Sequence, residues 1–431
     1  MIERYTLPEM ACIWTDERKL ETWLKVELAI VEALSEEGGI PAEAALRIRQ
    51  KARFDITRIE ETENITKHDV LSFVECVGES LGDDSKYFHM GVTSSDVLDT
   101  SLALLIRDAT GLVLQELNGL RGVIRNLAAR HERTLIVGRT HGMHAEPTSL
   151  GLKFAVWFND VGRAIERIET AQDEVCVGKV SGAVGNYSHL APIIEEKTLA
   201  SLGLGRERPA TQVVQRDRHA SYMASLALAA SIMEKMAVEV RHLQRTEVAE
   251  AEEPFAQGQK GSSSMPHKRN PITLERITGL SRLVRADATA AFENVALWHE
   301  RDISHSSVER IIIPDGTIVV HYMARCLKQV LQGLRINPSK MKENLELTGG
   351  MIYSQRLMLC LMEAGWDRKR AYEKVQDLVH SASSKGEMLK QRVCRDDEVV
   401  SLLGPDLTEA VFDPCYYIRH ARDILHDTGI L

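Results

Sequence analysis

From Ser95 to Glu132 the chain contains no proline, and Leu98, Leu102, Leu105, Ala109 and Leu112 recur at spacings of four, three, four and three. Apolar residues with that period line one face of an α-helix. About 38 residues at 1.5 Å each span roughly 57 Å. A helix of that length outruns the core of an ordinary single domain, so its seam needs comparable helices beside it. Part of that seam is expected to meet another chain.

Three further seams share the period. They run through Leu150, Phe154, Trp157, Val161, Ile165 and Ile168; through Met223, Leu226, Ala230, Met233, Ala237 and Val240; and through Ile277, Leu280, Val284, Ala288, Ala291, Val295 and Trp298. A shorter one, Leu20, Leu24, Leu28 and Val31, lies near the start. These Met and aromatic stripes read as packing. Strand signals are confined to short stretches such as Thr134 to Val137 and Cys176 to Val180. The expected fold is all-α. Gly38-Gly39-Ile40-Pro41 ends the first helix, and Asn337-Pro338 closes the long seams. These breaks predict an N-terminal helical domain over 1–90, a central long-helix bundle over 91–338 and a C-terminal helical domain over 339–431.

A net charge of -9 rules out a global basic field for nucleic acid or anionic lipid, so any anion site must be local. Seven cysteines with no C-x-x-C pair argue against a zinc ribbon or a disulfide framework and for a reducing compartment. The opening MIERYTLPEM mixes charges and does not read as a signal peptide. No apolar run approaches the ~20 residues that span a bilayer. The expected location is cytoplasmic, with neither membrane nor nucleic acid as partner.

Polar, glycine-containing breaks interrupt the seams. In "HMGVTSSD", residues 89–96, Thr93, Ser94 and Ser95 put hydroxyls beside the N–H groups of a helix start. Such a start either binds carboxylate or phosphate or is an ordinary Ser/Asp cap. "GRTHGMHAEPTSLG", residues 138–151, holds Arg139, His141, His144 and Glu146. It lacks H-E-x-x-H and a third ligand at motif spacing, so no metal is expected. An imidazole here suits an acid or base near neutral pH, or a structural role. "GSSSMPHKRNP", residues 261–271, is neither a P-loop nor an S-x-x-K nucleophile. Its hydroxyls and basic side chains suit a polyanionic small molecule. If successive bundle helices run antiparallel, the first break lies at one end of the bundle and the other two at the opposite end. An antiparallel assembly could bring all three together, so a site shared between subunits is expected.

In this order and spacing the three breaks resemble the fumarase/aspartase superfamily of lyases, with "GSSSMPHKRNP" as the signature loop. "HMGVTSSD" and "GRTHGMHAEPTSLG" are most similar to its adenylosuccinate lyase family. So are "ERYTLPEM" near the start, "TKHDV" at 66–70 and "RDISHSSVERIIIPD" at 301–315. The resemblance covers essentially the whole chain. One departure is Arg276 after Glu275, where this branch often carries Asn.

The resemblance implies β-elimination of fumarate from adenylosuccinate, giving AMP. It implies the same cleavage of the succinyl-aminoimidazole carboxamide ribotide of purine synthesis. It also implies a homotetramer with shared active sites and no cofactor. By resemblance Ser262 is the general base and His141 the general acid. Lys268 favours the serine alkoxide, and Glu275 orients His141. Lys268, Asn270, Ser263, Thr93, Ser94 and Gln212 match positions for the succinyl carboxylates, and His68 and Asp69 line the same region. Arg4, Tyr5, Arg301, Ser306 and Arg310 match positions for the nucleotide phosphate. His89 stands between site and support. The family position alone selects Ser262 over Ser263 or Ser264. Two alternatives stay open. One is another lyase of the superfamily, acting on argininosuccinate, aspartate or malate. The other is a non-enzymatic structural protein on the same scaffold, as lens crystallins are.

Overall fold

The computed structural model describes residues 1–255, 258 and 264–431; Ser262 and Ser263 lie outside the described residues. Each long seam becomes a helix: Ser94–Arg130, Leu150–Val175, Arg216–Leu243 and Ile272–Glu293, with Asp16–Glu36 near the start. The described strands form three two-stranded sheets, so the all-α expectation holds. Both short strand signals are also real. Leu135–Thr140 pairs antiparallel with Met143–Ser149, and Val177–Gly178 pairs parallel with Gly205–Arg206.

Two features differ from the sequence reading. The spacing carries the fourth seam on through Val295 and Trp298, but the helix ends at Glu293 and both side chains are exposed. The end turn tightens there. Asn294 N–H bonds back to Ala291 O, and Val295 N–H to Phe292 O. Trp298 N–H then donates to Asp302 Oδ2 at 2.7 Å, which fixes a turn in place of a further helical turn. The second difference is a long helix, Ser304–Gln332, with no counterpart among the seams. It runs through Pro314, which removes one ladder hydrogen bond and normally breaks a helix. Burial of Ile313, Val319, Val320, Met323 and Leu327 on that helix outweighs the loss.

The chain forms two compact units, each gathered from three separated stretches. The first comprises Met1–Gly119, Val161–Lys235 and Arg276–Leu327. Its core includes Trp23, Phe73 and Phe88, with Trp23 edge-on to Phe73 at 5.6 Å between ring centres. The second comprises Leu120–Asp160, Met236–Glu275 and Lys328–Leu431. Its core joins Val137 of the hairpin to Leu357, Leu361, Leu378 and Val411 of the C-terminal helices. Among the described residues no helix is long and apolar enough to cross a membrane.

Candidate active site

In the first unit, the start of the Ser94–Arg130 helix is held by a buried ion pair. Asp96 and Lys179 are both fully buried, and the Lys179 ammonium donates to Asp96 Oδ1. The same oxygen accepts from Ser181 N–H at 3.2 Å and Gly182 N–H at 3.3 Å, while Oδ2 accepts from Thr93 N–H at 2.8 Å. A charge pair away from water persists only with such additional bonds. Asp96 therefore does the capping, and Thr93 and Ser94 sit half-buried beside it on fixed backbone.

His68 caps the next candidate element, the helix Asp69–Leu81. Its Nδ1 accepts from Leu71 N–H at 3.2 Å, which leaves Nε2 as its outward-facing nitrogen. Asp69 meets Arg310: Oδ2 accepts from Nη2 at 2.6 Å. Arg310 Nε also donates to Ser306 Oγ at 3.3 Å, so one guanidinium joins three of the expected residues. Burial alone would raise the Asp69 carboxyl. The Arg310 bond and the Val70 N–H outweigh it and hold that carboxyl below its ordinary value. Arg301 donates from Nη1 to Gln212 Oε1 at 3.1 Å, joining a fourth and a fifth. A cavity of about 330 Å³ adjoins Ser306 and Arg310, walled by Trp14, Trp23, Leu98 and Leu102.

His89 has a left-handed backbone, with φ of 58°. Its Nδ1 lies 2.5 Å from Oε1 of Glu27, which is fully buried. Burial lowers the His89 pKa, but the bond to Glu27 and its charge prevail and raise it overall. A histidine raised on folding stabilises fully below its unfolded value, about 6.5, and that contribution is lost as pH climbs through the raised folded value. The stability gap between wild type and His89→Asn is thus expected to be widest below about pH 6.5 and to narrow above it. Asparagine tolerates the left-handed backbone. Denaturant unfolding at several pH values measures the gap; a gap independent of pH would exclude an ionised pair.

Arg4 and Tyr5 lie elsewhere in the same unit. Tyr5 packs against Tyr322 with the rings tilted at 59° and 5.4 Å between ring centres, and the Arg276 guanidinium lies 6.0 Å from its ring. Arg276 also donates to the Tyr322 hydroxyl at 2.8 Å. Arg276, a departure from the family pattern, thus stands beside one expected residue, Tyr5. Tyr322 follows Arg310 by twelve positions on the Ser304–Gln332 helix, about 18 Å along its axis. One chain therefore does not bring Tyr5 to Arg310.

In the second unit His141 sits at the tip of the Leu135–Ser149 hairpin. Thr140 pairs with Met143, which leaves His141 and Gly142 as a two-residue loop with φ of 55° and 79°. Two positive φ values make the mirror-image turn that suits strand twist, and Gly142 after a polar residue was its sequence signal. His141 is exposed. The hairpin is tied down by Arg139, whose two Nη atoms each donate at 2.8 Å to the fully buried Glu250. Asn344 Nδ2 completes Glu250 at 2.8 Å. His144, half-buried, has its pKa lowered by burial and then by the Arg139 charge.

Lys268 is exposed and Asn270 half-buried on the approach to the Ile272–Glu293 helix. The start of that helix already holds a carboxylate: Glu253 accepts from Thr273 N–H at 3.2 Å and Leu274 N–H at 3.1 Å. Glu275 is exposed in the first turn. Among the described residues His141 makes no hydrogen bond to Glu275. His141, Lys268, Asn270 and Glu275 belong to the second unit, and the other expected residues described here belong to the first. No group of three or more His, Cys, Asp or Glu among the described residues is arranged to hold a metal ion.

Residues 3–286 match the lyase family model, and residues 350–428 match the model of the adenylosuccinate lyase C-terminus. The chain is 48% identical over 424 residues to the adenylosuccinate lyase of Thermotoga maritima, covering 98% of each. It is 46% identical over 430 residues to that of Bacillus subtilis, covering 100% of each. Among solved structures, fumarate lyase from Mesorhizobium sp. BNC1 superposes with a TM-score of 0.91 at 26% identity, over 99% of both chains. The 3-carboxy-cis,cis-muconate lactonizing enzyme of Pseudomonas putida gives 0.89 at 26% identity, over 98% of this chain and 96% of that one.

Proposed function

Because this chain belongs to the adenylosuccinate lyase family, we propose that it eliminates fumarate from adenylosuccinate to give AMP. The succinyl-aminoimidazole carboxamide ribotide is cleaved by the same step. The observation that carries this reading is identity of 48% to an adenylosuccinate lyase along essentially the whole chain.

In the proposed reaction Ser262 removes a proton from the carbon beside a carboxylate, the carbon–nitrogen bond breaks, and His141 protonates the departing nitrogen. The role of Ser262 rests on its family position. Negative charge develops on the adjacent carboxylate, so donors aimed there lower the barrier. Lys268, Asn270, Ser263, Thr93, Ser94 and Gln212 are those donors, and Glu275 orients His141. Arg301, Ser306, Arg310, Arg4 and Tyr5 take the phosphate, to which a guanidinium can present two parallel N–H groups. No metal or cofactor enters these steps.

The site is shared in a homotetramer. The roughly 18 Å between Tyr322 and Arg310 along one helix supports this, since one phosphate cannot reach both within a chain. A cytoplasmic enzyme with divisions near residues 90 and 338 completes the proposal. The test is fumarate release by the purified protein. Turnover is expected with both purine substrates and not with argininosuccinate, aspartate or malate. No fumarate from either purine substrate would overturn the function. Monomers that keep full turnover on dilution would overturn the sharing.

A further inference from the structure

We propose that His305, to which no role has so far been given, is a positioning residue that sets the orientation of Arg301. This rests on the phosphate role given to Arg301 above. His305 is 2% exposed, near the start of the Ser304–Gln332 helix. Its Nδ1 lies 3.0 Å from Glu309 Oε2 and 3.2 Å from Arg216 Nη2. Its Nε2 lies 3.3 Å from Arg301 Nε.

The protons on this ring follow from its neighbours. Arg216 Nη2 shares its two hydrogens among Asp99 Oδ1 at 2.9 Å, Glu309 Oε1 at 3.0 Å and His305 Nδ1 at 3.2 Å. The carboxylate of Glu309, 3.0 Å from Nδ1, can only accept, so its charge favours a hydrogen on Nδ1. Nε2 then presents a lone pair, which matches the N–H of Arg301. The opposite tautomer would set a lone pair against the carboxylate and an N–H against an N–H. Glu309 thus fixes the tautomer, and the tautomer fixes Arg301, as a carboxylate behind an imidazole does in metal sites and hydrolase triads.

Arg301 is gripped at two of its three nitrogens, by His305 at Nε and by Gln212 at Nη1. Its Nη2 has no acceptor among the described residues. An arginine held this way offers its outer edge to an anion without first giving up rotamer freedom, and that preorganisation strengthens binding. The buried Arg216 and Asp99 lock Glu309 from behind, with Arg216 Nη1 donating to Asp99 Oδ2 at 2.8 Å.

Two substitutions separate the bonds. His305→Asn keeps a donor for Glu309 and loses the acceptor for Arg301. His305→Gln places an amide oxygen near the former Nε2 and restores that acceptor. With the full-length protein, His305→Asn is expected to raise the KM for adenylosuccinate and the Kd for AMP about tenfold, the worth of one bond to a charged group. Its kcat should stay within about twofold, since the lost bond bears on binding. His305→Gln should bind like wild type. If His305→Asn does not fold, His305→Ser, which also lacks the acceptor, replaces it. Unchanged KM and Kd in the Asn variant would overturn the positioning role while wild-type turnover kept the function intact. Equal losses in the Asn and Gln variants, with kcat falling in step, would make His305 merely structural and overturn it too. A wild type that neither releases fumarate nor binds AMP would remove the function and this role with it.

Discussion

His141→Asn is expected to lower kcat on adenylosuccinate roughly a hundred- to ten-thousand-fold, the range for losing a positioned general acid. Its unfolding midpoint should not move. Both expectations follow from the hairpin tip. His141 is exposed, and its φ of 55° is strained for most side chains. Asparagine is among the residues this turn prefers, so the loop keeps its shape while the imidazole is lost. Alanine would confound the two effects by straining the turn. Steady-state kinetics beside thermal unfolding separates them. Turnover within about threefold of wild type would remove His141 from the proton transfers.

Lys179→Met carries the largest expected stability change, a loss of about 3–5 kcal/mol, because it strands a carboxylate in the interior. Asp96 would keep its three backbone N–H donors and lose its counter-charge. The 177–182 segment is tied to the Thr93–Ser94 loop through that same carboxylate. Turnover is therefore expected to fall even at temperatures where the variant stays folded. A control is Lys197→Met: that lysine pairs with Glu36 and Glu37 on the surface and should leave stability nearly unchanged. Urea unfolding measures both. A Lys179→Met midpoint equal to that of the control would mean the buried pair adds nothing.

The long seams were readable because burial repeats every three to four residues over five or more turns, and that period is insensitive to detail. The Ser304–Gln332 helix was harder to read, since Pro314 speaks against it locally and the answering burial comes from distant neighbours. Val295 and Trp298 fit the helical spacing but lie beyond a turn set by Asp302, which spacing alone cannot reveal. The family resemblance singles out Arg310, Asp69 and Ser306, and the structure joins these three by hydrogen bonds. The buried bonds behind them had no signal: Asp99 and Arg216 are 117 positions apart, and Asp96 and Lys179 are 83. Motifs record short spacings, and these contacts are made by the path of the chain. The same limit hid the distance between Tyr5 and Arg310, which depends on where each meets one helix.

Each compact unit draws on three separated stretches, and this bears on how the chain acquires its structure. The first unit is complete only when residue 327 has been made, and the second only when residue 431 has. At some 5–20 residues per second, more than ten seconds pass before the Ser304–Gln332 helix can join the first unit. Until then the apolar faces of the earlier helices lack that partner. Closing such distant contacts is slow because chain entropy is lost before the contacts form. The nascent chain is therefore exposed to aggregation until residue 332 has been made, and chaperone demand should track translation speed up to that point.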